Sequence, residues 1–150
     1  ITIEERIPAA VIQLDRSYLV DTHGDIFLQA DASYGHYPVL TGVAKKDLIH
    51  NSAPSARLIK KALTLLDTIR QQRWCAQKDL SVHIDKTFGL TLTLAPHNTK
   101  IFLGHDHFAD KLPGATKILE DLAQKGALAK TININAINKA YVTLQPGYGV

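Results

Sequence analysis

Two short stretches carry the residue types that could do chemistry. The first is Asp21-Thr22-His23-Gly24-Asp25, which sets two carboxylates and an imidazole within five residues between two apolar runs. Such a trio has the makings of an acid–base group. The second is Gly104-His105-Asp106-His107-Phe108. Its side chains are of the kinds that bind zinc and related metals. On an extended segment His105 and His107 would share a face and reach one ion.

Each stretch has a plainer reading. Asp and Gly at a bend between apolar runs signal a hairpin turn, because Asp accepts from nearby N–H groups and Gly tolerates positive φ. His23 would then stand at an exposed tip, whereas a catalytic group needs a cleft. A metal site at residues 104–108 needs a third and fourth ligand, and no HExxH or comparable spacing follows. Asp106 or Asp110 beside a helix N-terminus has a dipole reason to be there. No nucleophile elbow, no P-loop and no GxGxxG after a strand occurs in the sequence. The residues therefore assign no catalytic group, metal ligand, cofactor or small-molecule substrate. A metal-dependent hydrolase built on His105, Asp106 and His107 is the alternative reading.

The elements that would position these residues follow from periodicity. Alternation predicts strands at residues 1–7, 9–14, 17–20 and 25–29, with Pro8 interrupting the ladder at a bulge or an edge. Residues 31–42 are rich in turn formers and read as irregular. Residues 54–73 form the clearest helix, with Leu58, Ala62, Leu65, Leu66 and Ile69 as its buried stripe and Ser52 or Ser55 as its cap. Residues 80–85 and 90–95 alternate as a hairpin with one wet face, either that of Ser81, His83 and Asp85 or its mirror. A third strand at 99–104 leads to a helix over 108–124, with Leu112, Ala115, Ile118, Leu119 and Leu122 inward. Pro113 is placed in its first turn and Gly126 at its stop. Residues 130–137 and 140–146 close the chain as a strand pair turning near Asn138 and Lys139. The fold class is α+β, a mostly antiparallel mixed sheet with two packed helices.

Bulk properties narrow the function classes. The 150 residues suit one domain, with net charge +3 from 17 basic and 14 acidic residues. The basic residues are scattered, so no nucleic-acid surface is indicated. Cys75 is the single cysteine; it forms no internal disulfide and reads as an inert thiol beside Trp74. No apolar run approaches the roughly 18 to 20 residues that span a bilayer. The chain opens in mid-strand without a methionine, and the expectation is a piece of a longer protein.

The order of these motifs resembles the extracytoplasmic β domain of the FtsQ/DivIB family of bacterial cell-division proteins. The resemblance is carried by Arg6, Pro8 and Ala10; by Leu19-Val20-Asp21, Gly24 and Phe27; by Pro38, Leu40 and Gly42; and by Leu103-Gly104 and the closing strand Thr131-Ile132-Asn133-Ile134-Asn135. In that last strand the family's usual Asp and Arg are replaced by Asn133 and Asn135. The resemblance implies a scaffold and not an enzyme. Residues 1–150 would be the β domain of a single-pass protein of the bacterial inner membrane, on its periplasmic side at the division septum. The cytoplasmic tail, membrane helix and POTRA domain would lie outside this chain. The implied partners are FtsB-like and FtsL-like divisome proteins, linked onward to septal cell-wall synthesis. By its residues, the strand Tyr141-Val142-Thr143-Leu144 either offers a partner an open edge or is covered by residues 146–150. The resemblance favours binding, and these four residues are the candidate partner site.

Overall fold

The computed structural model describes residues 6–50, 52–71, 80–94, 98–136 and 139–145. Strands β1 (Pro8–Gln13), β2 (Ser17–Asp21) and β3 (Ile26–Gln29) form an antiparallel meander. The chain returns through a 3-10 turn at Ala32–Tyr34 to β4 (Val39–Thr41), which pairs parallel to β1 on its other side. Helices α1 (Lys45–His50) and α2 (Ser52–Gln71) then carry it to β5 (Leu80–Asp85), parallel to β4. Strands β6 (Gly89–Leu94) and β7 (Thr99–Gly104) continue antiparallel. Helix α3 (Phe108–Gln124) crosses to β8 (Ala129–Ala136), parallel to β7, and β9 (Lys139–Leu144) closes antiparallel. The nine strands make one sheet in the order β3-β2-β1-β4-β5-β6-β7-β8-β9. Antiparallel pairs predominate, in agreement with the α+β class.

Alternation along the strands explains why both long helices lie on one face. Ile12, Leu40, Val82, Leu92, Ile101 and Ile132 are consecutive partners across six strands and are all fully buried. Helix α2 covers this row with Ile59, Ala62, Leu65, Leu66 and Ile69, at helical spacing. Helix α3 adds Phe108, Leu112 and Ala115, and packs against α2. Each fully buried Leu or Ile contributes roughly 1.5 to 3 kcal/mol. The opposite face of β5 to β8 carries half-buried or exposed Ser81, His83, Thr91, Thr93, Lys100 and Asn133. Of the two faces the hairpin pattern allows, the wet one is that of Ser81, His83 and Asp85.

Several local expectations are corrected. The segment 31–42 is not wholly irregular, since Val39–Thr41 forms β4 in the middle of the sheet. Three residues are too few to show alternation. Helix α1 also escaped the sequence reading, being a short, mostly polar turn before α2. Ser55 does not cap α2: it is buried within it, and its hydroxyl donates to the Asp47 carbonyl at 3.3 Å, tying α2 to α1. Ile59 belongs to the buried stripe, while Leu58 is only half-buried. Pro113 is the sixth residue of α3, beyond its first turn. Pro8 opens β1, an interior strand, and the register shifts there, so the bulge holds and the edge does not. Gly126 ends α3 as expected. It has φ +70, its N–H bonds to the Ala123 carbonyl and the Ala127 N–H to that of Leu122, a Schellman closure. The strand at 1–5, Trp74 and Cys75, and residues 137–138 and 146–150 lie outside the described residues.

Candidate partner-binding edge

Tyr141, Val142, Thr143 and Leu144 lie on β9, the last strand of the sheet. Their register assigns them to two faces. Val142 pairs with Ile132 and Leu144 with Ala129, both buried on the helix side. Tyr141 pairs with Asn133 and Thr143 with Thr131, on the open side. Val142 therefore continues the fully buried row of Ile101 and Ile132, yet is 40% exposed, and Tyr141 is 59% exposed. The core row runs out at this strand.

The direction of the β9 N–H groups follows from one bond. Gln145 N–H donates to the Leu128 carbonyl at 2.9 Å, toward β8. Backbone groups of successive strand residues point to opposite sides, so Thr143 and Tyr141 also face β8. Val142 and Leu144 then direct their N–H and C=O groups away from the sheet. The register shifts between Ala129 and Thr131 and between Ile134 and Ala136 both place the extra residue on β8. The phase along β9 is thus unbroken. Edge strands often carry charges that block pairing. From Ala140 to Leu144 β9 has none. The opposite edge, β3, is only four residues long.

The loop at residues 104–108 does not assemble a metal site among the described residues. Strand β7 ends at Gly104, whose φ is +75, so the extended spacing that would align His105 with His107 is not formed. His105 Nε2 lies 2.9 Å from the Thr87 carbonyl. His107 has φ +59 at the N-cap of α3, with its ring 3.8 Å from both Asp106 and Asp110. The two imidazoles are directed to different neighbours.

The first stretch is a turn held by a buried carboxylate. Asp21 is 3% exposed, and its Oδ1 accepts from the N–H groups of His23 and Asp25, each at 2.9 Å. Oδ2 lies 3.6 Å from an Arg6 guanidinium nitrogen, and that guanidinium stacks 5.9 Å over Phe27. Gly24 supplies φ +91 at the bend. His23 is exposed as expected, but not at a bare tip: with Thr22 it lines a pocket of about 550 Å³ against Lys60, Thr64 and Asp67 of α2. On the next hairpin Asp85 plays a similar part. The N–H of Phe88, then that of Thr87, donates to its carboxylate and holds its pKa below the ordinary 3.8.

The sequence reading did not single out Lys111. It is 8% exposed, and its Nζ donates to the Leu103 carbonyl at 2.6 Å. A signal was available, since Lys111 falls in register with Phe108, Leu112 and Ala115 on the buried stripe of α3.

Comparison with known proteins adds lineage to this geometry. The chain is 31% identical over 149 residues to cell division protein FtsQ of Syntrophotalea carbinolica, covering 98% of this chain and 53% of that protein. It is 28% identical over 142 residues to FtsQ of Geotalea daltonii, covering 93% and 52%. With FtsQ of Anaeromyxobacter sp. the identity is 30% over 137 residues, covering 90% and 46%. The chain spans about half the length of the curated relatives it matches. The family profile described as "Cell division protein FtsQ/DivIB, C-terminal" matches residues 10–142, from within β1 to the outward-facing Val142 of β9. The chain therefore belongs to the FtsQ/DivIB family of cell division proteins.

Proposed function

We propose that this chain is the extracytoplasmic β domain of a membrane-anchored divisome scaffold, and that it works by binding and not by catalysis. Its partners are FtsB-like and FtsL-like proteins at the septum, through which it is coupled to cell-wall synthesis. The partner site is the edge formed by Tyr141, Val142, Thr143 and Leu144. The observation that supports this most is the state of β9. It ends the sheet, carries no charge from Ala140 to Leu144, and continues the core row with a partly exposed Val142. A partner strand added there takes its affinity largely from main-chain hydrogen bonds to Val142 and Leu144, and its specificity from the side chains on either side.

The test is Leu144→Glu. Circular dichroism first establishes that the variant is folded. Titration with the periplasmic segment of the FtsB-like protein from the same organism then reads the affinity. A charge set where an apolar contact forms should weaken binding at least tenfold, or about 1.4 kcal/mol. Unchanged affinity of the folded variant would move the interface off this strand.

A further inference from the structure

Lys111 presents a buried ammonium without a counter-charge. Burying such a group is costly unless it is paired. Its one hydrogen bond is to the Leu103 carbonyl, although an ammonium has three donors. Among the described residues no carboxylate lies within ion-pairing distance of it. Nζ sits beside bare backbone, because a Cβ added at Gly104 would lie 3.4 Å from it. Gly104 and Lys111 both line a pocket of about 430 Å³ that opens at the end of β7. The same pocket is walled by Phe88 and Phe102, with Asn133 and His83 as polar neighbours. Phe88 is 79% exposed.

We propose that this pocket receives the carboxylate of an acidic side chain on a bound peptide segment, with the Lys111 ammonium as its counter-ion and Phe88 and Phe102 as apolar walls. Asp85 also lines the pocket, but its Oδ1 already accepts from the Thr87 and Phe88 N–H groups. Its charge disfavours an acid at the hairpin end and leaves the Lys111 end to the ligand. The carrier is a polypeptide because the pocket reaches β8, the neighbour of β9. Asn133 pairs with Phe102 of β7 on one side and with Tyr141 of β9 on the other. Phe102 is thus two strand spacings, about 10 Å, from the open edge. A segment that adds to β9 and turns over the open face of the sheet reaches the pocket within a few residues. The choice of carrier rests on the β9 reading; the carboxylate chemistry of the pocket does not.

The experiment separates the two. Lys111→Met, Lys111→Arg and Phe102→Ala are titrated with the FtsB-like periplasmic segment, and with versions of it in which each Asp or Glu is replaced in turn by Asn or Gln. Lys111→Met should weaken binding at least tenfold and Lys111→Arg much less. One acid replacement should cause the same loss on its own and no further loss against Lys111→Met. Independently, the blocked dipeptide acetyl-glutamyl-phenylalaninamide should shift the amide resonances of Phe102 and Asn133 in the whole chain, and its glutamine counterpart should not. If Lys111→Met fails to fold, the dipeptide pair and the folded Phe102→Ala variant decide between the outcomes. An affinity unchanged by folded Lys111→Met, or no shift with the acidic dipeptide, overturns the pocket even if Leu144→Glu abolishes binding. Dipeptide shifts together with a harmless Leu144→Glu uphold the pocket and overturn the β9 reading alone.

Discussion

A proline scan of β9 tests the strand phase and the partner site together. Proline lacks an N–H, so its effect depends on which way the N–H it replaces was pointing. The Thr143 N–H faces β8. Thr143→Pro loses that ladder bond, a net cost of about 0.5 to 1.5 kcal/mol, and strands a β8 carbonyl at about 1 to 3 kcal/mol more. The expected destabilisation is about 3 kcal/mol, or ~6 to 12 °C in Tm for a domain of this size. The Val142 N–H faces away from the sheet. Val142→Pro breaks no ladder bond, and proline is tolerated on an edge in that orientation. It should cost under ~1 kcal/mol of stability, as outward-facing surface changes do. In binding the order reverses. Val142→Pro removes a docking donor and sets a ring where the partner strand must lie, so affinity for the FtsB-like segment should fall at least tenfold, about 1.4 kcal/mol. Urea melts and calorimetric titration read the two quantities. Equal destabilisation by the two prolines would refute the phase deduced from the Gln145 bond. Intact affinity in a folded Val142→Pro chain would refute strand addition at β9.

The remaining predictions concern the scaffold. Leu65→Ala, at a fully buried position of α2, should cost about 2 to 5 kcal/mol in urea melts; a change below ~0.5 kcal/mol would mean this stripe is not packed on the sheet. Gly42→Ala should destabilise by more than ~1 kcal/mol, since φ is +94 and a Cβ would lie 2.2 Å from the Ile84 carbonyl oxygen; a neutral result would contradict that close approach. The folded-state pKa of Asp85 lies below 3.8, so its carboxylate contributes stability above that pH and loses it as pH falls through the folded value. Asp85→Asn should therefore separate most from the parent chain above about pH 4 and converge on it in acid; a gap that widens on acidification would reverse the sign of the shift.

The long periodic elements were legible because their signals are local. Leu65, Leu66 and Ile69 repeat with the helix, Val82 and Ile84 alternate with the strand, and Asp21 and Gly24 name their turn by backbone chemistry. The family order was legible too, in short motifs whose structural reasons appear only on folding. Arg6, Asp21 and Phe27 come from three successive segments, the lead-in to β1, then β2 and β3, and form one ion-pair and stacking group. Other features belong to the tertiary structure alone. Val39-Leu40-Thr41 is a strand because β1 and β5 flank it, and three residues carry no period of their own. The spacing of Lys111 puts it on the inward stripe of α3, but that its ammonium meets the Leu103 carbonyl beside Gly104 is decided only by how α3 packs on the end of β7. The candidate edge shows the division most plainly. The alternation of Tyr141, Val142, Thr143 and Leu144 could be read along the chain. That β9 has a neighbour on one side only among the described residues, and that Val142 turns its N–H to the other, depends on the order of the nine described strands and the placing of two bulges on β8. Those are pairings between distant residues, and no local pattern encodes them.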